Sequence, residues 1–239
     1  MRNFLSAILL IAILHPTNAV GALKKWNERM QELGGVLNEL LPEIRRSGVK
    51  QALNLTVRVK EDPDRASAVL DHASSIIPPL FFLQDMNHWR SSILAWKKEK
   101  GKTPNTEATL HRKAKKLIDE ARTVQIFPVD RSADILYLRA TALLHAQLRQ
   151  APRGPLAAEA LFLLGKAYEV LGDLQSKHWH ELFYETCIRQ RPHSPLSRSC
   201  YEAYEGSLYF GYSGSGGLSL PADVQQMLAE LRGLAAKAK

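Results

Sequence analysis

Cysteine is scarce in this chain, with two residues, Cys187 and Cys200, among 239. No Cys-x-x-Cys-His occurs, which excludes covalent c-type haem. No cysteine stands near residues 17–19 either, so a lipid-anchored lipoprotein is not expected. Long apolar runs are missing after the first 22 residues, and no later segment is expected to span a membrane. Glycine and proline, at 14 and 12, are too few for a collagen-like or wholly disordered chain. The one glycine-rich stretch, Gly211 to Gly217, neither follows a strand nor holds a P-loop lysine, and reads as a flexible linker. No nucleophile–base pair stands out, so neither catalysis nor a cofactor is expected.

Residues 1–22 stand apart from the rest. Arg2 is the only charge before Lys24, Phe4 to Leu14 form an apolar run, and Thr17-Asn18-Ala19 offers small residues where a signal peptidase reads. This outline is that of a secretory signal over residues 1–19, the other reading being an uncleaved N-terminal anchor. Without those residues, 31 basic and 24 acidic residues remain, a modest +7. An exported chain meets an oxidising compartment, where two cysteines can pair.

The remainder is written in helix-period segments. Trp26, Met30, Leu33, Leu37, Leu40, Leu41 and Ile44 make one apolar face over 22–46, with Gly34-Gly35 a candidate kink. Residues 52–60 are ambiguous, because Leu53, Leu55, Val57 and Val59 alternate as in a strand while Val49, Leu53 and Val57 fit a helix. Asp62-Pro63 then reads as an N-cap and first-position pair. Further helices are expected over 79–98, from about 106 to Arg122 (Leu110, Ala114, Leu117, Ile118 and Ala121 inward), and over 132–150 (Leu136, Ala140, Leu143 and Leu144 inward). The last four are 156–171, 175–190, 195–210 and a closing segment from Pro221 that bears Val224, Met227, Leu228 and Leu231. This is an all-α chain.

Two turns in it are nearly copies. Arg149-Gln150-Ala151-Pro152-Arg153-Gly154-Pro155-Leu156 returns as Arg189-Gln190-Arg191-Pro192-His193-Ser194-Pro195-Leu196, an offset of 40 residues. A proline-bounded turn repeated between apolar helices marks stacked antiparallel hairpins, in which each unit buries its face against the next. Leu161-x-x-Leu164-Gly165-x-x-Tyr168-x-x-x-Gly172 resembles the first helix of a tetratricopeptide repeat. Tyr184, Cys187 and Pro192 match the large, small and proline positions of the second helix after a short insertion. In the second copy Glu205 stands for the packing glycine and Leu208 for the tyrosine. Ala66, Leu70, Ala73 and Pro78 fall on the same second-helix spacing, and 47–60 is read as their partner helix. The run 151–161 is similar to repeats of bacterial envelope proteins, the outer-membrane assembly lipoproteins and the periplasmic accessory protein of the Tol-Pal system. The resemblance is good over 133–210, faint over 47–128 and absent from 22–46. The chain is expected to divide into a signal peptide (1–19), an N-terminal helical region of degenerate hairpins (20–128), tetratricopeptide-like repeats (129–212), and a linker with a C-terminal helix (213–239). The resemblance implies protein–protein scaffolding, with no catalytic residues to carry over.

Several residue groups are candidates for function. Cys187 lies five residues before Pro192 and Cys200 six after Ser194. In an antiparallel hairpin they stand at one height, as a disulfide or as two buried thiols. His178-Trp179-His180 is not expected to hold a metal, since helical residues two apart point away from each other, and His145 reads as satisfied within its helix. Residues 97–122 carry nine Lys or Arg against four acids, among them Lys97, Lys98, Lys113 and Lys116. That strip is either a solvated face or a docking site for an acidic partner or an anionic surface. Nucleic acid is disfavoured by the lack of interleaved aromatics. In the resembled family the first helices line a groove, which here would present Glu159, Lys166, Glu202 and Glu205 with Tyr201 beside them. The expected function is an interaction module or scaffold of the cell envelope, in the periplasm; the alternative is an accessory subunit of an envelope enzyme or redox complex. If residues 1–19 are a signal, N-terminal sequencing of protein from the host envelope will begin at Val20. Recovery of intact Met1 in the membrane pellet will instead establish the anchor.

Overall fold

The computed structural model describes residues 48–76, 83–99, 106–127, 130–172 and 178–236, and the expected signal segment and the 22–46 helix lie outside them. From Val49 onward these residues belong to one unit. The fold is all-α, built of stacked helices. Helix α1 is α-helical over residues 48–53 and continues as a π-helix over Asn54–Val59. It is followed by α2 (Pro63–Ile76), α3 (Leu83–Glu99), α4 (Glu107–Val124), α5 (Asp134–Gln150), α6 (Ala157–Val170), α7 (Trp179–Gln190), α8 (Pro195–Tyr212) and α9 (Ala222–Ala235). None of the described helices is long and apolar enough to cross a membrane.

The ambiguity at 52–60 resolves as helix. Val49, Leu53 and Val57 are buried on one stripe, while Leu55 and Val59, which a strand would have placed on the same face as Leu53 and Val57, are exposed. The Thr56 hydroxyl donates to the Ala52 carbonyl at 2.9 Å, and the Lys60 N–H reaches back five residues to the Leu55 carbonyl. Helix starts follow local chemistry. The Asp62 carboxylate accepts from the N–H groups of Asp64 and Arg65 with Pro63 at the first position. Ser194 and Ser197 form a reciprocal capping box ahead of α8, with Pro195 at its first position. The 213–218 stretch, expected as a flexible linker, is instead a tight antiparallel hairpin, β1 (Ser213–Gly214) against β2 (Gly217–Leu218). Gly217, at φ 96°, supplies the left-handed conformation the turn needs.

Successive helices pack as antiparallel neighbours: α4 with α5, α6 with α7, α7 with α8. Helix α9 packs on both α8 and α7, closing that end of the stack. Among the described glycines, Gly165 of α6 lies closest to a neighbouring side chain, and an added Cβ would run into the Tyr184 ring on α7. The repeated turns lie side by side. Gln190 and Arg191 of the second donate to the Pro152 and Pro155 carbonyls of the first at 2.8 and 3.2 Å. Across the second turn Cys187 and Cys200 are joined in a disulfide with Cα atoms 6.3 Å apart. Closing a loop of this size restricts the unfolded chain by about 3 kcal/mol.

One buried polar cluster ties α1 to the repeats. Arg58 donates to the Tyr168 phenol oxygen at 3.1 Å, and the same hydroxyl is hydrogen-bonded to Nε2 of His145 at 2.9 Å. The His145 ring also meets Tyr168 and Phe183 edge-on. Burial, reinforced by Arg58 and Arg149, pushes the His145 pKa down to about 4.

Two stability outcomes follow from this packing. Gly165→Ala forces a methyl into the Tyr184 ring and is expected to cost about 1–3 kcal/mol in urea unfolding. Gly206→Ala on α8, with open space around its Cβ, gains up to about 1 kcal/mol. Because His145 is held neutral in the folded state, its contribution is fully present above about pH 6.5 and lost as pH falls toward about 4. That loss reaches about 3 kcal/mol. Unfolding curves over this range should show a shallower acid decline for His145→Gln than for the unaltered chain.

Candidate functional site

A cleft of about 540 Å³ lies where the C-terminal ends of α4 and α6 meet the segment entering α5. Arg122 ends α4, Arg131 precedes α5, and Lys166 and Glu169 project from α6, so three cations face one carboxylate. Lys166 pairs with Glu169 at 3.1 Å and lies over the Tyr184 ring. The Tyr184 hydroxyl donates to Glu169 at 2.6 Å. Burial, then the bond to Glu169, drives the Tyr184 pKa up, so the phenol remains a donor.

The mouth of the cleft is apolar. Ile126 and Phe127 stand 67% and 63% exposed, although their backbone is held firmly. The Asp130 carboxylate accepts from the N–H groups of Ile126 and Ser132 at 2.9 and 2.8 Å. Its burial opposes the charge, but these N–H groups, the Ser132 hydroxyl and His88 outweigh it and keep the carboxyl below its ordinary range. Gln125 donates from its side chain to the Asp130 carbonyl, and the indole of buried Trp89 donates to the Arg131 carbonyl at 2.6 Å. The Arg131 guanidinium in turn donates to the Val170 carbonyl at the end of α6. Large apolar side chains displayed on a pinned backbone beside a cationic cleft are features of a binding surface.

Of the residues expected to face a partner, Lys166 lines this cleft. Glu159 lies earlier on α6 and is bound toward α4, 3.3 Å from Lys115 Nζ and 3.4 Å from His111 Nε2. Glu202 is exposed. Glu205 and Tyr201, expected to face outward, are instead engaged with α9. The Glu205 carboxylate accepts from Tyr201, Tyr209 and Arg232, and Arg232 also donates to the buried Tyr201 hydroxyl. Burial opposes the Glu205 charge, but the Tyr201 and Arg232 hydrogen bonds keep its pKa low. In the basic strip Lys97 pairs with Asp64 at 3.1 Å, Lys113 is half-buried, and Lys98 and Lys116 are exposed. The strip is partly neutralised by its own neighbours. Arg122, Arg131, Ile126, Phe127 and Glu169 were not singled out from sequence; two large apolar residues before Pro128, outside any helix period, were the available signal.

The His178-Trp179-His180 motif also differs from expectation. The argument that its imidazoles diverge requires both to be helical, yet His178 is the N-cap of α7, with φ −73° and ψ 61°. Its ring centroid lies 5.8 Å from that of His180. Glu181 joins them, 3.6 Å from His178 Nδ1 and 3.9 Å from His180 Nε2. The Ser207 hydroxyl of α8 bonds both His180 and Glu181, at 2.7 and 3.0 Å.

Comparison with family models, with curated proteins and with solved structures finds no match for this chain.

Proposed function

We propose that the protein is an exported, tetratricopeptide-like interaction module of the cell envelope, acting in the periplasm by binding a segment of another protein. The observation that carries this reading is the cleft between the ends of α4 and α6. It joins a net positive wall of Arg122, Arg131 and Lys166 to the exposed pair Ile126 and Phe127. A partner segment with an apolar side chain next to carboxylates matches both features. The apolar anchor supplies most of the affinity, and the cations set orientation and association rate. The disulfide between Cys187 and Cys200 agrees with an oxidising compartment, and the signal-like residues 1–19 supply the route to it.

The test is capture of partners from envelope extract by the processed protein. Arg122→Glu with Lys166→Glu is expected to lower recovery of a defined partner at least tenfold, while Glu202→Lys, on α8, leaves it unchanged. Circular dichroism checks that both variants keep their helices. Capture that survives the charge reversal removes the cleft as the binding site, and the exposed lysines of the 97–122 strip become the next candidates.

A further inference from the structure

We infer that His178, His180 and Glu181, at the start of α7, form a binding site for a zinc-class divalent metal ion. One ligand atom from each, an imidazole nitrogen from either histidine and a carboxylate oxygen, lies within 4.8 Å of the other two. A tetrahedral zinc ion with bonds of about 2.0–2.2 Å needs its ligands about 3.3 Å apart. The Glu181 oxygen is already 3.6 and 3.9 Å from the two imidazole nitrogens. Closure needs two small movements: a turn of the His178 ring, which is 76% exposed and precedes the helix, and a rotation of the Glu181 carboxylate toward His180.

The other two groups are more enclosed. His180 and Glu181 are 14% and 22% exposed, and Ser207 reaches across from α8 to bond both. In the metal-bound form that hydroxyl orients Glu181, and water would complete a four-coordinate shell. For Nε2 of His180 to bind metal, its proton must sit on Nδ1, and the serine hydroxyl then turns wholly to Glu181.

The donor set selects the metal. Two imidazoles and one carboxylate suit zinc and its neighbours in the transition series, whereas calcium and magnesium require more oxygen ligands than one glutamate offers. The N-terminus of α7 carries partial positive charge, which opposes a cation. The Glu181 carboxylate offsets it, so the affinity expected is micromolar rather than that of a closed structural site. The inference does not depend on the cleft, which lies on other elements.

The experiment is calorimetric titration of the tag-free full chain with zinc chloride, with calcium chloride as a control. One saturable zinc equivalent is expected, with no calcium binding, and a melting temperature that rises with zinc concentration. The chain holds eight histidines, so the variants decide the location. His178→Ala and Glu181→Gln should each weaken zinc binding at least tenfold, and Ser207→Ala by about tenfold through loss of orientation. His178 is exposed, so its replacement tests the ligand without threatening the fold. Absence of saturable zinc binding, or affinity unchanged in His178→Ala, overturns the assignment.

Discussion

The close packing of Gly165 of α6 against the Tyr184 ring of α7 shapes both the hairpin and the candidate site. Without a Cβ at 165 the two helices close onto the ring, and the ring fills the space a side chain would have taken. This contact also delivers the Tyr184 hydroxyl to Glu169 and lays the ring beneath Lys166. The wall of the cleft is therefore set by the packing of α6 on α7, and a change at Gly165 reaches the charged residues one turn later. The sequence position that makes the hairpin resemble a tetratricopeptide repeat is thus also the one that positions two cleft residues.

The second copy of the pattern solves the same packing problem with different chemistry. At the position equivalent to Gly165 it carries Glu205, which cannot accept a ring at close range. Its carboxylate instead binds Arg232 of α9, and Arg232 lies over the Tyr201 ring. Exposed ion pairs alone contribute little. This one is strengthened by the Tyr201 hydroxyl, whose pKa is pushed up to about 12 by burial and by Glu205. The α7–α8 hairpin adds a covalent tie that the first copy lacks, since Gln147 and Ala160 occupy the positions of Cys187 and Cys200. At the turn, His193 holds a left-handed backbone (φ 60°) while its N–H donates to the Leu234 carbonyl at 2.7 Å. The degenerate copy is thus held by ions, a disulfide and the end of α9 where the first relies on close packing.

What could be read from sequence was local, and what could not was long-range. All five inward residues expected on α4 are buried, because that helix packs along one face and its periodicity reports it. On α5 the expectation named four residues on one face. Leu136, Ala140 and Leu144 are buried and Leu143 half-buried, and Ile135, Tyr137, Leu138 and Ala142 are buried besides, since α1, α3, α4 and α6 all pack on this helix. A helix covered on most sides carries no single-face signal. Glu159 and Glu205, expected to face outward, are 36% and 23% exposed but carry ion pairs that the sequence does not reveal. Their partners Lys115 and Arg232 are 44 and 27 residues away, and only the stacking of helices brings them near. At His178 the missing fact was local but conformational: a cap residue does not follow the helical rotation that the residues after it obey.

The cleft shows how rigidity and exposure work together. Displaying Ile126 and Phe127 to water forgoes roughly 1.5–3 kcal/mol per side chain that burial would have supplied. A mobile loop could fold those side chains back onto the core. Here Asp130 and Gln125 bond within the segment, while Trp89 of α3 and the end of α6 bond Arg131 just after it, which favours this conformation. A partner covering the two side chains recovers their burial without first ordering the segment, which removes one of the principal entropic costs of association. The nearby cations add long-range attraction for an acidic partner, screened beyond about 8–10 Å at physiological salt. Arg131 is oriented by the carbonyl at the end of α6, and a cation at a helix C-terminus is favoured there before any partner arrives.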